Sequence, residues 1–119
     1  MSVVYIAGPM SGIEDFNRPA FHETAQALRA EGHTVLNPAE LPDGLTEAQY
    51  MQIGLAMLQC ADVIYLLQDW LHSSGARAEK ALAEKLGLEM CFQVVYPPHS
   101  CIPGFMRQAN HYSIRGNDD

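Results

Sequence analysis

"DVIYLL", residues 62–67, is an apolar run, unbroken after Asp62, of β-branched, aromatic and leucine side chains. It lacks the polar–apolar alternation of a strand with one wet face, so it reads as a strand buried on both faces of a parallel sheet. Helices are expected on either side of it. Upstream, Thr46 and Gln49 have the spacing of a capping box and open a helix through about Gln59. Downstream, the loop "QDWLHSSG" leads into a helix within "SSGARAEKALAEKLG", residues 73–87. A further strand follows near Cys91–Tyr96, ended by Pro97 and Pro98.

Nearer the N-terminus, "VVYIA" (Val3–Ala7) is a first strand stopped by "GPMSG". "NRPAFHETAQALRAEG" then places Pro19 in a first helical turn, with Phe21, Ala25 and Leu28 on one face and Gly32 as the stop. "HTVLNP" is a second strand, and Pro38, Pro42 and Asp43–Gly44 make the loop after it. "RQANHYSIRGNDD" holds a short strand or helix, and from about residue 108 a polar tail that is expected to fray.

Strands alternating with helices predict an α/β fold: a Rossmann/flavodoxin-like doubly wound parallel sheet of four to five strands. Right-handed crossovers and short connections favour the order 2-1-3-4. At 119 residues the chain is expected to be one domain spanning 1–119, large enough to bury a core without staples. The net charge of −7 argues against coating a nucleic-acid polymer through its phosphates. No apolar run is long enough for a membrane span and no basic-then-apolar leader is visible, so a cytoplasmic protein is expected. Cys60, Cys91 and Cys101 are odd in number and lack C-x-x-C spacing, which suits thiols in a reducing compartment. The histidines show no ligand pairing. Neither a metal nor a cofactor is expected.

The helix in 73–87 carries one residue at odds with its pattern. Opened near Gly75, its core-facing positions run Ala76, Glu79, Ala83 and Leu86. In a 2-1-3-4 sheet the ligand crevice lies at the carboxyl ends of strands 1 and 3, where their outgoing chains diverge. Glu79, about one turn into the helix after strand 3, would face that crevice. Its alternatives are a structural pair with a neighbour such as Arg77 or Lys80, a place on a solvated face in a different helix register, and a nucleophile or general base kept ionised by the helix dipole.

The two loops emptying into the crevice supply the other candidates. Gly8, Met10, Ser11 and Gly12 of "GPMSG" form either a tight turn or a backbone lining for an anion or ribose. The segment is neither G-x-G-x-x-G nor a Walker A sequence. Ser73, Ser74 and Gly75 offer hydroxyls and free N–H groups to a phosphate or carboxylate, or simply cap the helix. Trp70, the only tryptophan, either stacks on a base or packs its loop against the sheet. Asp62 reads as a turn residue at the far end of the sheet. Asn17 and Arg18 read as surface or capping residues within reach of a phosphate.

Together, "YIAGPMSG" and "WLHSSGARAEKALAEKLG" resemble the nucleoside 2-deoxyribosyltransferase superfamily, closest to a small branch found in bacteria and their phages. The resemblance spans roughly residues 3–96. It implies a Rossmann-like fold and cleavage or exchange of the N-glycosidic bond of (deoxy)nucleosides or their 5′-monophosphates. The family places a glutamate nucleophile in a G-x-x-x-E context after strand 3, which Gly75–Glu79 matches. A strand-1 tyrosine that hydrogen-bonds this glutamate is matched by Tyr5. Ser73 and Ser74 fall where the nucleotide-hydrolysing members hold the 5′-phosphate, which favours a monophosphate substrate. Family members assemble as oligomers, so a homodimer or higher homo-oligomer is implied.

In one place the chain departs from the family. The transferases carry an acidic residue about two helical turns before strand 3, where this sequence reads "MQIGLAMLQC" with no carboxylate. Hydrolysis, base exchange by a deoxyribosyltransferase, and a non-catalytic module that binds a nucleotide or ADP-ribose therefore all stand as readings at this stage.

Overall fold

The computed structural model describes residues 1–94 and, as backbone alone, the strand 111–115. Five strands form one sheet: β1 (Val3–Ala7), β2 (Thr34–Leu36), β3 (Val63–Leu66), β4 (Glu89–Gln93) and β5 (His111–Arg115). Their order is β2-β1-β3-β4-β5. The first four run parallel, in the 2-1-3-4 order expected from the sequence, and β5 adds an antiparallel edge. The expectation for the tail falls, apart from β5, outside the described residues.

Among the described residues three α-helices cover the sheet: α1 (Arg18–Ala30), α2 (Glu47–Gln59) and α3 (Ser74–Leu86). Pleating sends alternate residues of β1 to opposite faces. Val4 and Ile6 meet Phe21, Ala25 and Leu28 of α1, together with Val35, Val63 and Tyr65. Tyr5 and Ala7 meet Leu58 of α2 and Ala76 and Ala83 of α3, together with Ile64 and Leu66. All four residues of β3 are buried. Ile6, Ile64 and Leu66 are fully enclosed, each worth about 1.5–3 kcal/mol of transfer free energy.

Local signals set the helix ends. The capping box at α2 is complete: Gln49 N–H donates to Thr46 Oγ1 at 3.1 Å, and Thr46 N–H to Gln49 Oε1 at 2.9 Å. Ser73 caps α3 by accepting from Ala76 N–H at 3.1 Å, and Gly87 ends it in the left-handed region at φ 78°. Asp62 joins the ends of two strands, accepting from Val3 N–H at 3.0 Å, as its turn position suggested.

Two sequence expectations need correction. β4 begins at Glu89 rather than near Cys91, because its parallel register pairs Val63 with Glu89 and Leu66 with Phe92. Partner alignment, and not the most apolar stretch, sets where the strand begins. The expected residues 95–96 of that strand lie outside the described residues. Leu86 was placed on the core face of α3 yet is 48% exposed. The chain turns back at Gly87, and Leu88, whose N–H donates to Ala83 O at 3.0 Å, packs against the core instead.

Candidate active site

Chain divergence at β1 and β3 creates the crevice. β1 leads to α1 on one face and β3 to α3 on the other, so the space beyond their carboxyl ends stays unfilled. It holds a cleft of about 860 Å³, within the range of small-molecule sites. Gly8 lets the β1 loop leave past β3, since a Cβ there would lie 2.8 Å from Leu67 Cβ. Gly8, Pro9, Met10 and Ser11 line one side, and Ser73, Ser74, Gly75 and Ala76 the other.

At its floor the Tyr5 hydroxyl donates to Glu79 Oε2 at 2.6 Å. Tyr5 is buried within β1, and Glu79, on the inward face of α3, is 9% exposed. The pair with Arg77 or Lys80 does not form, since Lys80 turns to Glu84 at 2.7 Å. Among the described residues Glu79 Oε1 has no hydrogen-bond partner, and Glu79 lines the cleft. Burial pushes the Glu79 carboxyl up to about 7, against the opposing pull of the Tyr5 hydrogen bond. Burial first, and then the neighbouring carboxylate, raise the Tyr5 phenol well above its ordinary value.

Above this floor stands the N-terminus of α3. Ala76 N–H is taken by Ser73 Oγ and Arg77 N–H by Ser73 O. The N–H groups of Ser74 and Gly75 have no partner among the described residues and lie in the cleft wall. Ser73 is thus a cap and a lining residue at once.

The mouth is shaped by the turn before α1 and the loop before α2. Asp15, Phe16 and Asn17 all occupy the left-handed region, at φ 52°, 53° and 60°. Aspartate and asparagine tolerate this conformation, but at Phe16 it costs about 1–2 kcal/mol, and the strained turn presents Phe16, half exposed, to the cleft. Asn17 Nδ2 secures the turn by donating to Pro9 O at 2.9 Å. Arg18 lies 5.1 Å from the Phe16 ring centroid and is paired with Asp15 and Asp43. Opposite, the Tyr50 hydroxyl donates to Pro42 O at 2.7 Å and fixes the loop before α2. Asp43, Glu47 and Met51 also line the cleft. Gly54 in α2 lies directly over the Tyr5–Glu79 pair. A glycine inside an otherwise helical stretch was a signal available in the sequence. Nothing local marked Phe16.

Two sequence candidates stand apart from the cleft. Gly12 sits in the following turn at φ 79°, and Trp70 packs on Phe92 with ring centroids 6.0 Å apart. Lys80 Nζ lies over the Trp70 ring, 5.3 Å from its centroid. Among the described residues no group of three or more His, Cys, Asp or Glu could hold a metal ion, and no helix is long and apolar enough to cross a membrane.

The profile of a family described as DUF4406, a domain of unknown function, matches residues 2–92. The fold is that of a 2-deoxyribosyltransferase from the psychrotolerant bacterium Bacillus psychrosaccharolyticus. The two superpose with a TM-score of 0.58 at 23% identity, over 87% of this chain and 78% of that one. No curated protein matches the chain.

Proposed function

The chain belongs to the DUF4406 family, and we propose that it cleaves the N-glycosidic bond of a (deoxy)nucleoside 5′-monophosphate through Glu79. The observation that carries this reading is the Tyr5–Glu79 hydrogen bond of 2.6 Å at the floor of the cleft. It occupies one carboxylate oxygen and leaves the other for a reacting atom.

In this reading Oε1 of ionised Glu79 attacks C1′ from beneath the sugar. The C1′–N bond breaks, and its electron pair leaves with the base, which takes up a proton. Positive charge building on the sugar is stabilised by the carboxylate, which then holds the sugar as a glycosyl ester. Water attacks C1′, the ester bond returns its pair to Glu79, and free base and sugar phosphate result. Tyr5 orients the carboxylate and favours its charged form. The free amides of Ser74 and Gly75, beside Ser73, suit the 5′-phosphate at a helix N-terminus. Transfer to a second base, in place of water, is the second reading, and likeness to a 2-deoxyribosyltransferase fold favours it. Homodimerisation belongs to the same proposal and is read by light scattering.

The test incubates wild type and Glu79→Gln with ribo- and deoxyribonucleosides and their 5′-monophosphates, with and without a free acceptor base. Base release from a monophosphate that collapses in the variant is expected. A new nucleoside formed only with acceptor selects transfer. Tight nucleotide binding without any product selects a non-catalytic binding module.

A further inference from the structure

Most of the side chains in α2 suit a helix, with Glu47, Ala48, Gln49, Met51, Leu55 and Ala56 among the strong formers, yet Gly54 sits in its interior. Glycine is usually placed for its conformational freedom, but Gly54 is not among the residues with positive φ. Space is what it supplies. A Cβ at this position would fall 2.7 Å from Glu79 Oε2 and 2.9 Å from the Tyr5 hydroxyl. The nearest atoms are the two ends of the catalytic hydrogen bond and not the backbone of α3, so close helix packing does not account for it.

We propose that Gly54 is a positioning residue: the bare backbone of α2 walls in Glu79 Oε2 against Tyr5 and thereby aims Oε1 into the cleft. Tyr5 is fixed within β1 and 1% exposed. The carboxylate is the more mobile partner, so a methyl group at this point displaces Glu79 from the phenol. Water is excluded from the Oε2 side by the same wall, in keeping with the raised titration of Glu79. As a catalytic role this rests on Glu79 being the nucleophile. As geometry it does not.

Titration of the Glu79 carboxyl by carbon-13 NMR tests it without turnover, in wild type, Tyr5→Phe, Gly54→Ala and the double variant. Tyr5→Phe is expected to raise the Glu79 midpoint where Gly54 is intact, and to move it by less than a third as much where Gly54→Ala is present. Equal shifts in both backgrounds, or none where Gly54 is intact, overturn the proposal. If Gly54→Ala destabilises the fold, its effect on melting temperature is read in a Tyr5→Phe background, which removes the hydroxyl 2.9 Å from the new Cβ, with and without Glu79→Ala. Recovery is expected once the carboxylate is gone, and an undiminished loss overturns the proposal. In the turnover assay Gly54→Ala should lower kcat at least tenfold with KM within twofold, and an unchanged kcat is equally fatal to it. A wild type that releases no base fails the N-glycosidase reading alone, since the titration cycle stands apart from it.

Discussion

The Tyr5 hydroxyl and Glu79 Oε2 meet at 2.6 Å, one from the first strand and the other from the third helix. Their opposing influences meet on one proton. Burial raises the Glu79 carboxyl to about 7, and the phenol's hydrogen bond lowers it. A nucleophile must be ionised, so kcat/KM for base release should rise with pH and level off above about 7. In Tyr5→Phe the lowering influence is gone. Hydrogen bonds to charged groups are worth about 1.5–3 kcal/mol, so the inflection should move up by roughly one to two pH units. A pH–rate profile of both proteins reads this directly, and coincident inflections would show that the phenol does not tune Glu79.

Stability should carry the same signature with the opposite benefit. Folded Glu79 keeps its proton to about 7, whereas the ordinary carboxyl value is 4.5. Between those values the folded state binds more protons than the unfolded state, so stability falls as pH rises. The contribution of Glu79 is complete below about 4.5 and lost above about 7. Glu79→Gln removes the titration while retaining an acceptor for Tyr5. Urea denaturation should find the variant more stable than wild type at pH 8, by up to about 3 kcal/mol, and much closer to it at pH 5. An equal difference at both pH values would contradict the assignment.

Glu79 was legible because an amphipathic helix has a period, and a carboxylate on its apolar stripe breaks that period. The sheet order was legible because short right-handed crossovers leave few arrangements, and that order placed Glu79 at the crevice. Gly54 was visible as an oddity, but its purpose depends on how high α2 rides over β1, which no local pattern encodes. The start of β4 depends on its partner β3, and the exposure of Leu86 on where Leu88 lands after the Gly87 turn. Least legible were the left-handed residues Asp15, Phe16 and Asn17. Only asparagine and aspartate tolerate that conformation well, and nothing in the sequence marks Phe16 for it.

Backbone strain at Phe16 persists because surrounding contacts hold it, and such strain gathers at ligand sites. Phe16→Gly removes the left-handed penalty and a ring that is already 52% exposed. Unfolding free energy should hold or rise by up to about 1 kcal/mol, once the extra chain entropy of glycine is set against the relief. If the substrate's base rests on this ring, KM should rise roughly tenfold, since base–aromatic stacking is worth about 1–3 kcal/mol. A stabilised variant with unchanged KM would assign the ring no part in binding.

Trp70 separates packing from binding. Its loop leads into α3, a position that suits either stacking on a base or packing against the sheet, and the ring turns to Phe92 at 6.0 Å and lies outside the cleft lining. The indole is part-buried and packs against the Tyr5, Ala76 and Met90 cluster. Truncation at such a site removes apolar area and one aromatic contact, so Trp70→Ala should cost about 1–2 kcal/mol in urea denaturation. KM for a 5′-monophosphate should stay within twofold, because no substrate contact is lost. A KM raised fivefold or more in a variant that remains folded would instead bring Trp70 into contact with the ligand. The loop would then have to turn the indole off Phe92 when substrate binds.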